Sequence, residues 1–216
     1  MRIARFTRKN DENGKTRWGV VEGGFLCPRE TPEGNVTDEP VRLEDVRLLA
    51  PAVPSKIICV GLNYVKHIEE SGYYKKSLSG EPGLFLKGPN ALADPDIVIP
   101  YPSFTEQFDY EGELAVVIGK RMQPGFTNPM EGVLGYTAAL DMTARDRQKD
   151  DLQWIRAKSA DLFCPLGPWI ETELDAGNVA VRTKVNNEIR QDGRTGDLLF
   201  PVEKILAHIL TFMTLE

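Results

Sequence analysis

Apolar and polar residues alternate through the opening of the chain. "RIARF" and "RWGVVEGGFLCPR" keep a period near two, the pattern of half-buried strands, and the polar run "RKNDENGKT" between them predicts a turn. "RETPEGNVTDEPVRLEDV" is polar and turn-rich, and "LLAPAVPSK" is punctuated by proline as a linker is. These patterns predict a small N-terminal β domain over residues 1–50 and a larger domain over 51–216, with the boundary near Pro51.

Beyond the linker, "KIICVGLNY" predicts a buried strand running into a loop. "YVKHIEESG" predicts a short helix closed by Gly72, and residues 73–82 a polar loop. "GLFLKGPNAL", "DIVIPYP", "ELAVVIG" and "LGYTAALDM" predict strands. "NPMEGV" predicts a helical turn with Asn128 as N-cap and Pro129 at the first position, and "TARDRQ" a helix start. "VAVRTKVNNEIRQDG" reads as a hairpin turning at Asn186–Asn187. "PVEKILAHILTFM" reads as an amphipathic helix with Ile205, Ile209 and Phe212 near one face. Many strands, few short helices and no βαβ rhythm predict an α+β, mostly β fold.

Composition narrows the function class. An apolar content of 41% and a charged content of 27% are those of a soluble globular chain. No apolar run reaches the roughly 18 residues of a membrane span, and the N-terminus has no signal-peptide core. Cys27, Cys59 and Cys164 are odd in number and lack CxxC spacing, which argues against a disulfide framework or structural zinc and points to a reducing compartment. A net charge of −6 argues against a general nucleic-acid binder.

"FDYEGELAVVIGK" carries Asp109, Glu111 and Glu113 at spacings of two, which on one strand puts three carboxylates on one face. Either that face is solvated or a cation neutralises it. The apolar residues that follow on both faces mark a buried strand, so the acidic end reads as a hard-cation site for Mg²⁺, Mn²⁺ or Ca²⁺, with Asp141 at the end of "GYTAAL" as a third ligand. His67 stands three residues before Glu70, so the carboxylate can orient the imidazole as beside a general base; surface pairs share this spacing. His208, inside "EKILAHIL", reads as a packed helix histidine. Lys158, between a tryptophan-bearing segment and "CPLGPW", reads either as a desolvated donor to an anionic substrate or as an exposed lysine.

"KIICVGLNYVKHIEE", "LFLKGPNAL", "DYEGELAVVIGK", "GYTAALDMTARDRQ", "RAKSADLFCPLGPWI" and "VNNEIRQDGRTGDLLFP" together resemble the fumarylacetoacetate hydrolase family, in the family's order and over most of the chain from Lys56. "MRIARF…RWGVVEGG" resembles the small leading domain of its bacterial members, of acylpyruvase or 2-hydroxyhepta-2,4-diene-1,7-dioate isomerase type. The resemblance implies a mixed β-roll, a cytoplasmic homodimer and a small-molecule substrate, with no nucleic-acid or membrane partner. It implies Mg²⁺ or Mn²⁺ held by Glu111, Glu113 and Asp141, and a water-activating dyad of His67 and Glu70 on a lid helix. Arg145, Gln148 and Lys158 are implied as substrate contacts, and Asp109 as a support rather than a ligand. The implied activity is cleavage of a carbon–carbon bond in 2,4-dioxo or 2-oxo carboxylates. The alternatives are isomerisation and decarboxylation of dienoates from aromatic catabolism, or an inactive metal-binding dimer. Two departures stand out. Leu162 replaces a small or hydroxylated residue, and the family's strands beyond "FMTLE", with a Thr-Gly-Thr-Pro segment, have no counterpart here.

Overall fold

A computed structural model describes residues 1–64 and 80–216. His67, Glu70 and the helix expected around them lie outside the described residues. Strands dominate, as the alternation predicts. In chain order they are β1 (Arg2–Arg8), β2 (Arg17–Glu22), β3 (Phe25–Arg29), β4 (Val41–Arg42), β5 (Val46–Leu49), β6 (Ile57–Gly61), β7 (Gly83–Lys87), β8 (Leu92–Ala93), β9 (Phe108–Asp109), β10 (Gly112–Ile118), β11 (Val133–Leu140), β12 (Thr143–Ala144), β13 (Cys164–Glu171), β14 (Ala180–Val185) and β15 (Glu188–Arg194). Short helices span Arg145–Gln148, Ile155–Lys158 and Val202–Ile209. Among the described residues no helix is long and apolar enough to cross a membrane.

The main sheet runs β10-β11-β13-β1-β2-β3-β4, with β5 also paired to β1 and β8 to β13. β1 is its hinge in sequence terms, since Ile3, Ala4 and Phe6 are fully buried there. Ala4 and Phe6 pack with Leu26 and Val46 in one cluster. β2 and β3 join through Gly23–Gly24, both at positive φ (53° and 85°), which a two-residue hairpin turn demands and glycine supplies without strain. Asn186 and Asn187 do the same between β14 and β15, at φ 51° and 68°, so the asparagine pair turns where expected.

A second cluster gathers Met142, Ala144, Phe163 and Cys164 under Phe108 and Tyr110, and a third gathers Met122, Leu206, Ile209, Leu210 and Leu215 against Ile58, Val116 and Ile118. The helix Val202–Ile209 thus buries Leu206 and Ile209, while Phe212 is exposed rather than on the packed face; the helix ends before it. One other expectation is corrected. "DIVIPYP" forms no strand: its prolines remove ladder donors, and Val98 and Tyr101 stand exposed. Asn128 occupies the N-cap position before Pro129, yet its side chain binds Glu131 Oε1 at 2.9 Å instead of a backbone N–H.

Gly135 lies where β11 pairs with β13: a Cβ there would sit 2.5 Å from the Glu171 carbonyl and 2.7 Å from Ile170 Cγ2. Backbone cannot yield as a flexible side chain can. Gly135→Ala is therefore expected to lose about 1–3 kcal/mol in urea denaturation, the cost of overpacking. A variant as stable as wild type would refute this close approach.

Candidate functional site

Antiparallel pairing brings distant acids together. In the β10–β11 ladder Gly112 faces Leu140 and Glu113 faces Ala139. The pairing continues one step further, where the Asp141 N–H donates to the Glu111 carbonyl at 2.8 Å. Glu111 and Asp141, thirty positions apart in sequence, thus become neighbours at one end of a half-buried ladder. The acidic strand itself is broken. Asp109 belongs to β9, which pairs with β12 in a separate two-stranded sheet, so the three carboxylates do not share one continuous strand face.

Cations meet this negative charge. Lys158 Nζ lies 2.8 Å from Glu111 Oε2 and 2.6 Å from Asp141 Oδ2, and its side chain is almost fully buried. The desolvated reading of Lys158 is therefore the one the fold adopts. Arg145 binds Asp109 Oδ2 through Nε at 2.8 Å, Glu111 Oε1 through Nη2, and Gln148 Oε1 through Nη1 at 2.9 Å. Arg145 and Gln148 stand on one short helix, three apart, so both reach the same side. Phe85 and Trp154, in edge-to-face contact, line the same cavity of about 1550 Å³ that the carboxylates face, and the Lys158 ammonium sits over the Phe85 ring. Leu162 instead takes a left-handed turn conformation, φ 65°, beside Asn90.

Lys87 was not singled out by sequence. Its side chain is fully buried, with Nζ 2.7 Å from Asp141 Oδ1. It also donates to the carbonyls of Phe163 (3.0 Å), Met142 (3.2 Å) and Lys158. The one available signal was a lone lysine inside the strand-like "LFLKG".

The two glutamates differ in electrostatics. Burial works to raise the Glu111 carboxyl, but Lys158 and Arg145 outweigh it and hold it well below the ordinary range. Burial, with Glu111 and Asp141 nearby, pushes the Glu113 carboxyl up to about 8, against a weaker pull from Lys158. Among the described residues no side chain pairs with Glu113. Nor are three His, Cys, Asp or Glu side chains already gathered at ligating distance, for Lys158 stands between Glu111 and Asp141. Four carboxylates, Asp109, Glu111, Glu113 and Asp141, meet three cations, Lys87, Lys158 and Arg145, and the oxygens they offer are the donor type a hard divalent ion prefers.

Residues 56–216 match the family model "Fumarylacetoacetate (FAA) hydrolase C-terminal", and residues 1–51 match "Rv2993c-like, N-terminal". Protein Rv2993c of Mycobacterium tuberculosis is 41% identical over 80% of this chain and 66% of its own length. The oxaloacetate tautomerase FAHD2A, mitochondrial, of Homo sapiens is 37% identical over 79% of this chain and 55% of its own length. The crystal structure of 5-carboxymethyl-2-hydroxymuconate delta-isomerase from Mycobacterium smegmatis superposes with a TM-score of 0.87 at 36% identity, over all of this chain and 84% of that one. The chain thus spans about two thirds of the mycobacterial relative and about half of the human one.

Two expectations follow from the site. Lys87→Met leaves Asp141 and three carbonyls without their buried ammonium, and should cost about 3–5 kcal/mol in urea denaturation; a neutral substitution would show that Lys87 is not the compensating charge. Glu113 binds a proton more tightly folded than unfolded, so its contribution is fully present below its ordinary value of 4.5 and lost as pH rises through about 8. In chelator, wild type should therefore lose melting temperature relative to Glu113→Gln across that window. A pH-independent difference between the two would count against the shift.

Proposed function

The chain belongs to the fumarylacetoacetate hydrolase family, and from that premise we propose that it is an enzyme of 2-oxo and 2,4-dioxo carboxylates that cleaves a carbon–carbon bond with a divalent cation, Mg²⁺ or Mn²⁺, held by Glu111, Glu113 and Asp141. One observation carries the reading: Glu113 lines the same cavity as Glu111 and Asp141, and among the described residues no side chain pairs with it. The ion supplies Lewis-acid polarisation of the keto and carboxylate oxygens of such a substrate.

The chain's own groups account for the rest. Lys158 is a buried ammonium at the cavity wall, preorganised to donate to an oxygen that gains negative charge as the enolate forms. Arg145 and Gln148 offer planar donors for a substrate carboxylate on the same side. Phe85 and Trp154 supply an apolar wall that limits water there. His67 and Glu70, outside the described residues, are assigned the removal of a proton from the attacking water. Hydroxide then adds to the 4-carbonyl, and collapse releases a carboxylic acid and the enolate of pyruvate.

Keto–enol interconversion and dienoate isomerisation need the same enolate and no attacking water. The human oxaloacetate tautomerase and the mycobacterial isomerase that this chain resembles favour this second reading.

Acetylpyruvate and oxaloacetate, each with and without Mg²⁺ or Mn²⁺, separate the two. Free pyruvate and acetate from acetylpyruvate support cleavage, and a shift in enol absorbance without pyruvate supports isomerisation. Asp141→Asn should lower kcat/KM at least about a hundredfold, the scale of lost electrostatic stabilisation. No turnover of either acid with either ion would overturn the assignment.

A further inference from the structure

The hairpin β14–β15 reaches the backbone of the carboxylate site through Gln191, with Thr183 beside it. Gln191 Oε1 accepts from the Gly112 N–H at 2.7 Å, and Gln191 Nε2 donates to the Gly112 carbonyl at 2.7 Å. The Gly112 N–H and carbonyl together fix which end of the amide is oxygen, and Thr183 Oγ1, on the paired strand, donates to the same Oε1 at 2.9 Å. The amide thus serves Gly112 as a neighbouring strand would, one acceptor for the N–H and one donor for the carbonyl. Gly112 is the residue between Glu111 and Glu113. On its other side lies β11, where Asp141 N–H holds the Glu111 carbonyl.

Glycine is required for this approach. A Cβ at Gly112 would lie 2.2 Å from Thr183 Oγ1 and 3.0 Å from Gln191 Oε1. Glycine is also the residue that least restricts its own torsions. The directions in which Glu111 and Glu113 leave the backbone depend on those torsions, so something outside the segment must set them. A carboxylate constellation has to hold within about 0.5 Å to function.

The geometry points to Gln191 as a positioning residue for the two glutamates: by clamping the Gly112 peptide it fixes the backbone from which both project, and so sets the affinity of the site for a divalent cation. This rests on the metal-binding reading above. Gln191 acts through a peptide unit and is not itself a ligand. The hairpin, far along the chain, is thereby part of the site rather than an appendage.

Mn²⁺ binding to the full chain, by calorimetry and by the loss of the free-ion paramagnetic signal, tests the assignment together with hydrogen exchange at the Gly112 amide. Gln191→Met keeps length and loses both hydrogen bonds. It should weaken Mn²⁺ about ten- to a hundredfold, as loss of a group supporting a ligand does, and speed Gly112 exchange. Arg182→Ala breaks the exposed Arg182–Asp192 pair on the same hairpin and should change neither. Thr183→Val, which frees the amide to rotate, should give a smaller loss in the same direction and stands in if Gln191→Met does not fold. Unchanged Mn²⁺ affinity in both variants, or an equal loss in Arg182→Ala, overturns the positioning role while the metal reading stands. A wild-type chain that binds no Mn²⁺ overturns both.

Discussion

Asp141 has one carboxylate oxygen 2.7 Å from Lys87 Nζ and the other 2.6 Å from Lys158 Nζ, all three side chains being buried or nearly so. Charges removed from water at this density are tolerable only when each is matched and hydrogen-bonded. The two lysines supply the matching charge from different directions, although Asp141 Oδ1, ion-paired to Lys87, accepts no hydrogen bond. Lys87 closes β7 and gives its three donors to carbonyls while its charge faces Asp141, and Lys158 ends a short helix and turns its second contact to Glu111. The strand β7, the segment before β13 and the β10–β11 ladder are therefore fastened to one another through a single aspartate. The same charge balance that secures the fold leaves Glu113 unmatched among the described residues.

The fold was legible where the local pattern and the final environment agree. The alternating segments that became β1 and β2, and the apolar runs that became β10 and β11, have one face or both against the core, so hydrophobicity reports their structure directly. "DIVIPYP" shows the opposite case: β-branched residues flanked by prolines look like a strand but cannot join a ladder. The spacing of Asp109, Glu111 and Glu113 located the acidic end, but not the break between β9 and β10 that sends Asp109 to another sheet. That break depends on pairing with Thr143 and Ala144, which no local pattern announces.

Residues of the candidate site drew notice in the sequence in proportion to their chemical distinctiveness. Acids crowded on a strand, and a lysine beside an apolar proline-rich run, raise a question of charge that the sequence itself poses. Lys87 and Gln191 raise none. A lysine ending a strand and a glutamine in a polar hairpin are ordinary, and their roles arise only from what the fold sets beside them. Supporting groups of this kind are selected by geometry, so they surface only once the coordinates are known.

The register of β10 and β11 has a bearing on how such a chain can vary. Glu113 and Asp141 are related by rungs of a ladder, not by the length of chain that joins them. The irregularity at Val117/Ile118 lies at the far end, toward the connecting loop. Insertions or deletions there would be absorbed before reaching the acids, whereas a slip of one rung would turn every following side chain to the opposite face. Descendants of this sequence are free to lengthen or trim that connection, while the rungs nearest the acids admit almost no drift.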